Sequence, residues 1–90
     1  MDKLEDPSKY KTTPEQTAQL ERLGWRRHGS NDIIDMWLYA GKGRSWLYAW
    51  SNGGWTFWEY QGTPNDYDRI QIESWDEMLP RLVAHRLENN

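Results

Sequence analysis

The chain has 90 residues and a formal net charge of -3. This length allows one domain with a small core, because such a chain buries only roughly 60 to 65% of the surface that its unfolded form exposes. The absence of cysteine excludes a disulfide framework and a thiolate zinc site. The first residues lack the apolar run of a secretion signal and no later run could span a bilayer, so we expect a cytoplasmic protein without a membrane segment.

The N-terminal segment is predicted to be an arm outside the folded domain. Residues 1–12 are polar and charged, include Pro7 and show no hydrophobic periodicity, which is typical of a flexible segment. Tyr10 could fix the end of this arm against the rest of the protein. The sequence therefore predicts a single domain over residues 13–90.

The first helix is predicted from the residues at its two ends. Thr13 is a favourable N-cap, Pro14 suits the first helical position, and Gln16 stands where the partner of a capping box belongs. Gly24 is a natural C-terminal stop because glycine adopts φ > 0 without strain. These residues predict a short helix that ends just before Gly24.

Four strands separated by turn residues are predicted after this helix. Their segments are rich in aromatic and β-branched residues and cover 25–28, 33–40, 44–50 and 55–60. Asn52 and Gly53 favour a type I′ hairpin between the last two of these strands. Alternation of polar and apolar side chains over residues 69–73 allows a fifth strand. The segments are close in sequence, so we expect an antiparallel meander.

A second helix is predicted at the C-terminal end of the chain. Ser74 is a capping residue with Glu77 three positions later, and apolar residues follow at helical spacing; they are Met78, Leu79, Leu82, Val83 and Leu87. Pro80 interrupts this pattern, so we expect an offset or 3₁₀-like first turn and a main helix that begins at about Pro80. The predicted fold class is α+β, with four or five antiparallel strands and both helices on one face.

Strand alternation predicts how the sheet divides its side chains. The second and third strands each place aliphatic residues on one side, namely Ile34, Met36, Leu38, Ala40, Leu47 and Ala49. Their other side carries Trp37, Tyr39, Trp46, Tyr48 and Trp50. In the fourth strand Trp58 and Tyr60 alternate with Trp55 and Phe57, which leaves its orientation open. We expect the helices to cover the aliphatic side through Leu20, Leu23, Leu79, Leu82 and Val83.

The rings on the other side form a candidate recognition surface. Several large rings side by side exceed the roughly 300 to 600 Å² of the largest apolar patch on a typical monomer. The arm, the loop over residues 61–68, a second copy of the chain or a functional partner could cover them. Cross-strand ring pairs that only stabilise the sheet are the alternative explanation.

The negative charge lies in the second half of the chain. Residues 46–90 carry seven acidic against three basic side chains, whereas residues 1–45 carry seven against eight. The acidic residues between 59 and 77, opposed only by Arg69 and here called the acidic segment, are Glu59, Asp66, Asp68, Glu73, Asp76 and Glu77. Either a solvated loop and helix start or an acidic face that attracts a basic partner explains them.

No catalytic, metal or cofactor motif stands out in the sequence. His28 with Asp32 and Asp35 could be drawn as a metal site, but such sets are common by chance. His85 near the C-terminus is expected to complement the helix dipole or to lie at a solvated helix end. The sequence shows no phosphate-binding glycine motif or sheltered pair of carboxylates, so we predict a protein that is not an enzyme and needs no metal or cofactor.

The first functional hypothesis is a protein-binding inhibitor or antagonist. The ring-bearing face would supply the binding anchors, and the acidic segment would direct it to a nucleic-acid-handling partner with a basic surface. In size, mild acidity and helix-meander-helix layout the chain resembles small phage-encoded anti-CRISPR and related anti-defence proteins, and it is equally similar to many bacterial immunity proteins. The resemblance includes no residue motif and therefore assigns no functional residue.

The second hypothesis is direct nucleic-acid binding. Rings would stack on bases while basic residues contact phosphates; these are Arg22, Arg26, Arg27, Lys42 and Arg44. The helix-sheet-helix order resembles double-stranded-RNA-binding modules, but the net negative charge disfavours this hypothesis. A sugar or small ligand stacked on tryptophan, or a homodimer joined through the rings, completes the alternatives, and a monomer or a homodimer is compatible with the first hypothesis.

Overall fold

A computed structural model describes residues 10–63 and 65–89 of the chain. Its elements are α1 (Pro14–Arg22), β1 (Trp25–Ser30), β2 (Ile34–Tyr39), β3 (Trp46–Trp50), β4 (Trp55–Tyr60), β5 (Tyr67–Ile72) and α2 (Trp75–Glu88). All neighbouring strands pair antiparallel in the order β1-β2-β3-β4-β5. The predicted α+β class and the meander are confirmed, and the sheet has five strands.

Capping residues begin both helices as predicted. The backbone N–H of Gln16 donates to Thr13 Oγ1 at 3.1 Å, and the N–H of Thr13 donates to Gln16 Oε1 at 2.9 Å, which completes the capping box of α1. The N–H of Glu77 donates to Ser74 Oγ at 3.3 Å and caps α2. Among the described residues, neither helix is long and apolar enough to cross a bilayer.

Helix α2 runs without interruption through Pro80, so the predicted offset first turn is wrong. Met78 and Leu82 lie on either side of Pro80, four residues apart, and both are fully buried. Residues at this spacing share one face of a helix, so burial of both side chains holds the two turns in register. Pro80 itself is exposed.

The hairpin between β3 and β4 also differs from its prediction. Gly53 has φ = +94°, but Asn52 does not have a positive φ, so the turn is not type I′. The N–H of Gly53 donates to the carbonyl of Trp50, and the side chain of Asn52 accepts from the N–H of Gly54. The amide of Asn52 therefore stabilises the turn through a local hydrogen bond instead of a left-handed backbone.

The phase of β2 relative to β3 differs from the prediction. Trp37 lies directly opposite Leu47, so these two residues share the face that the helices cover. Trp37 and Tyr39 are 0% and 2% exposed. The aliphatic residues of β2 lie on the other face, opposite the rings of β3; the pairs are Ile34 with Trp50, Met36 with Tyr48 and Leu38 with Trp46. The prediction that the rings of both strands share a face is wrong.

One core forms between the sheet and the two helices. Leu20 of α1 and Met78 and Leu82 of α2 enter the same cluster, which shows that both helices pack on one face. The strand residues of this cluster are Trp25, Trp37, Tyr39, Leu47, Ala49, Trp55, Phe57 and Ile72. Val83, which was predicted to face the sheet, is 41% exposed.

The folded domain begins before Thr13. Asp35 is fully buried, and its Oδ2 accepts from the backbone N–H of Lys11 at 2.8 Å and of Thr12 at 3.2 Å. Ser30 Oγ donates to Asp35 Oδ1 at 2.6 Å. These bonds attach residues 10–12 of the predicted arm to the sheet, and the remainder of that arm, residues 1–9, lies outside the described residues.

Candidate functional site

The face of the sheet opposite the helices is here called the open face. Cross-strand register assigns to it the side chains that alternate with the core residues in each strand. Its large side chains are partly exposed, unlike those of the core, and they are Ile34, Met36, Leu38, Trp46, Tyr48, Trp50, Trp58, Tyr60 and Tyr67. Both helices pack on the other side of the sheet, so these side chains form a broad apolar surface.

The rings of the open face hold one another in place. The Tyr48 ring centroid lies 6.1 Å from that of Trp50 and 6.3 Å from that of Trp58, with interplanar angles of 72° and 59°. Trp50 Nε1 donates to Thr56 Oγ1 at 2.8 Å. Tilted and edge-to-face contacts of this kind are favourable for aromatic pairs. The open face is therefore a preorganised surface.

A shallow depression of about 390 Å³ lies in the middle of the open face. It is lined by His28, Met36, Trp46, Tyr48, Trp58 and Tyr67. The His28 ring packs edge-to-face against Trp46, with centroids 5.2 Å apart and an interplanar angle of 87°. A volume at the lower end of the range of ligand pockets suits one large side chain or one planar ring.

The charged side chains of the open face are cationic. Arg26 in β1 lies opposite Leu38, and Arg69 in β5 lies opposite Trp58 with its guanidinium 5.5 Å from the indole ring. The acidic strand residues point to the helix side, since Asp35 is buried there and Glu59 pairs with Asp68 across β4 and β5 on that side. The face is thus positive although the chain is negative.

The structure does not bring the acidic segment onto the open face. Burial, followed by the carboxylates of Glu88 and Asp68, raises the pKa of Glu59, and Arg81 opposes this shift. These groups therefore lie together on the helix side of the sheet. The other members of the segment occupy the ends of elements, with Asp66 in the β4–β5 loop and the remaining three at the start of α2, namely Glu73, Asp76 and Glu77.

The predicted ring-bearing site divides between the two faces. The open face carries five of its members, which are Trp46, Tyr48, Trp50, Trp58 and Tyr60. Trp37 and Tyr39 are core residues. Burying these two rings beneath the helices removes more apolar area from water than burying Leu38 in their place would. Tyr39 also accepts a bond from Arg86 Nη1 at 3.3 Å through its hydroxyl group.

Besides the aliphatic residues of β2, three residues were not assigned to the ring-bearing face from the sequence, namely Arg69, Tyr67 and His28. Arg69 and Tyr67 follow from alternation once β5 is known to begin at residue 67. His28 lies on this face because it alternates with Arg27 in β1, as Arg26 does, and the register irregularity between Arg27 and Gly29 shifts only the residues that follow. Alternation within the predicted strand over residues 25–28 was therefore the signal that could have placed it there.

The structure separates His28 from Asp35 and places His85 in the core, where it was not expected from the sequence. His28 faces the open side, whereas Asp35 is buried on the helix side, so these two residues cannot share a metal. Among the described residues, no cluster of three or more potential ligands could hold a metal ion. His85 is 2% exposed inside the core, where burial lowers its pKa, and it is not a solvated helix end.

No family model, curated protein or solved structure matches the chain. The resemblance in layout to anti-defence and immunity proteins therefore stays a prediction, and the geometry of the open face is the basis for a functional proposal.

Proposed function

We propose that this protein is a non-enzymatic protein-binding module that docks on its partner through the open face. The observation that carries the proposal is the composition of that face. Besides isoleucine, leucine, histidine, threonine, glutamine and glycine, its strand positions hold tryptophan, tyrosine, methionine and arginine, but no lysine, aspartate or glutamate in the part of the chain that the structure describes. This is the composition that distinguishes the centre of protein interfaces from other protein surfaces.

The structure of the face suits such a role in two further ways. Tryptophan, tyrosine and arginine are the residues that most often contribute binding free energy at interfaces. Their mutual contacts limit ring motion before binding, which reduces the entropy lost when a partner docks. The central depression offers a place for one anchoring side chain of that partner.

The mode of action that we propose is that of a small inhibitor or antagonist of the anti-defence or immunity type. A two-layer domain that docks through one face can act by covering a functional surface of its partner. The acidic segment lies away from the docked face, mostly on the helix side and at the ends of the sheet. If the partner handles nucleic acid, this negative charge would repel the phosphate backbone from the covered surface.

Direct nucleic-acid binding is the second candidate, because arginines border the rings of the open face. Arg44 lines a depression with Tyr60 and Tyr67, and Arg69 contacts Trp58. Base stacking, however, requires ring faces that are free. The tilted contacts around Tyr48 and the guanidinium over Trp58 occupy part of these faces, which makes protein binding the better supported function.

The proposal is tested by capture from a lysate of the source organism with tagged protein. The variant Trp46→Ala with Trp50→Ala should lose the captured partner while its circular dichroism spectrum stays close to that of the wild type. The matched control is Val83→Ala with Leu87→Ala, which removes exposed apolar side chains from α2 and should keep the partner. Equal capture by the wild type and the tryptophan variant would place the recognition surface elsewhere.

A further inference from the structure

Positive charge flanks the apolar centre of the open face on both edges of the sheet. Arg26 belongs to the edge strand β1 and Arg69 to the edge strand β5, and both side chains are exposed. Neither arginine forms an ion pair with a carboxylate of residues 10–63 or 65–89. A third exposed arginine, Arg44, borders Tyr60 and Tyr67 at one end of the face. Within residues 10–63 and 65–89, the face thus holds three cations that form no ion pair with a carboxylate.

A second copy of this chain is a poor occupant for such a face. A two-fold interface brings the same patch of each subunit together. The three arginines of each copy would then enter an interface to which the strands contribute no carboxylate. Like charges brought together without compensation disfavour association.

A polynucleotide strand also fits the face poorly, because acidic residues lie at both ends of the strands. Asp32 in the β1–β2 turn and Glu73 after β5 are exposed at one end, and Asp66 is exposed at the other. A strand that continued past the arginines would carry its phosphates toward these carboxylates. A short protein segment can end within the face and avoid them.

These observations give the partner a defined chemistry. We infer that the open face recognises an acidic protein segment that inserts one aromatic or branched apolar side chain into the central depression and places carboxylates against Arg26 and Arg69. The inference rests on the proposed protein-binding function and names the chemistry of the partner. It replaces the expectation of a basic partner, since the acidic segment on which that expectation depended lies away from the open face.

The test uses a display library of random dodecapeptides, selected on the full chain as bait. The wild type should enrich peptides of net negative charge that contain an aromatic residue or leucine. Synthetic copies of the enriched peptides should bind about tenfold or more weakly to the Arg26→Glu, Arg69→Glu variant. That variant, used as bait, should enrich basic peptides instead. The Arg26→Gln, Arg69→Gln variant should give an intermediate loss of peptide affinity. It replaces the charge-reversal variant in the test if that variant does not fold.

A matched control reverses two charges on the other side of the molecule. Arg22 lies in the last turn of α1, and Lys42 borders a depression with Glu59 and Glu88, on the helix side of the sheet. Both side chains are exposed. The Arg22→Glu, Lys42→Glu variant carries the same change in net charge and should enrich the same acidic peptides as the wild type.

The outcomes separate this inference from the proposed function. Enrichment of neutral or basic peptides that is lost in the Trp46→Ala, Trp50→Ala bait would overturn the acidic partner and leave protein docking in place. If no enriched peptide depends on these tryptophans, both proposals are overturned. Binding of oligothymidylate that weakens with Arg26→Glu and Arg69→Glu, without peptide enrichment, would assign the face to nucleic acid. A homodimer that these same arginine variants dissociate would also overturn the inference.

Discussion

The Nε2 atom of His85 lies 3.1 Å from the hydroxyl oxygen of Ser45 in the interior of the fold. Ser45 Oγ also accepts a bond from the backbone N–H of Tyr60 at 3.0 Å. This pair connects α2 to the ends of β3 and β4. The imidazole contacts three aromatic rings of the core, which belong to Trp25, Tyr39 and Phe57.

The burial of His85 predicts a loss of stability in mild acid. Burial lowers the pKa of His85 from its ordinary value of 6.5, and the carboxylate of Glu88 opposes this shift. The unfolded chain therefore binds a proton more readily than the folded protein. Stability from this group is complete above pH 6.5 and decreases as the pH falls from 6.5 toward and through the lowered pKa. Urea denaturation across this range measures the decrease.

The variant His85→Gln isolates this effect from other titrating groups. It should be less stable than the wild type at neutral pH, because it loses the ring contacts of the imidazole. Its free energy of unfolding should change less between pH values above and below 6.5, since the group that titrates there is absent. The same pH dependence in both proteins would contradict the assigned role of His85.

Asp35 is predicted to be essential for stability. Its buried carboxylate accepts bonds from Lys11, Thr12 and Ser30 and lies 3.6 Å from Arg27 Nη2. Asp35→Ala leaves these donors unsatisfied and should lower the free energy of unfolding by about 3 to 5 kcal/mol. Urea denaturation gives the value.

The control for Asp35 is Asp32→Ala, which removes an exposed carboxylate from the adjacent turn. A surface change of this kind should alter the free energy of unfolding by no more than about 0.5 kcal/mol. Similar losses in the two variants would show that Asp35 has no special structural role.

The two faces of the sheet predict different costs for two tryptophan substitutions. Trp37 is fully buried, so Trp37→Ala should lower the free energy of unfolding by about 3 to 5 kcal/mol. Trp46→Ala should cost less, because the indole is already partly exposed and its removal leaves no closed cavity. Denaturation of both variants measures the difference. If Trp46→Ala were as destabilising as Trp37→Ala, the open face would be part of the core.

Residues 10–12 are predicted to be held by a cation–π contact. The Arg27 guanidinium lies 3.8 Å from the ring centroid of Tyr10 and 4.7 Å from that of Trp37. Tyr10→Ala should raise the rate of tryptic cleavage after Lys11 while lowering stability by only about 0.5 to 1 kcal/mol. Tyr67→Ala, on the open face, is the control and should leave this cleavage rate unchanged. An unchanged rate in Tyr10→Ala would argue against the contact.

Pro80 offers a stabilising substitution. It lies inside α2, where proline cannot donate the backbone hydrogen bond of the helix. Pro80→Ala should raise the free energy of unfolding by up to about 3 kcal/mol. Val83→Ala, at another exposed position of the same helix, is the control and should change stability much less. A loss of stability in Pro80→Ala would mean that the proline ring makes a contact that matters more than the missing bond.

Local sequence chemistry predicted both helices and four strands of this fold and allowed the fifth strand. The caps at Thr13 and Ser74 begin the helices where they were expected, because a capping side chain binds backbone within its own turn. Short apolar segments separated by glycine and asparagine predicted the meander, because the preference of these residues for turns is also local. The error at Pro80 arose because burial of side chains on either side of it overrides a local preference.

The sequence by itself therefore determined the order of elements, the α+β class and which side chains of one strand share a face. Only the tertiary structure decided how β2 is phased against β3, and with it that Trp37 joins the core while Trp46 stays on the open face. Alternation is a property of a single strand, whereas phase depends on which combination of faces buries the most apolar area beneath the helices.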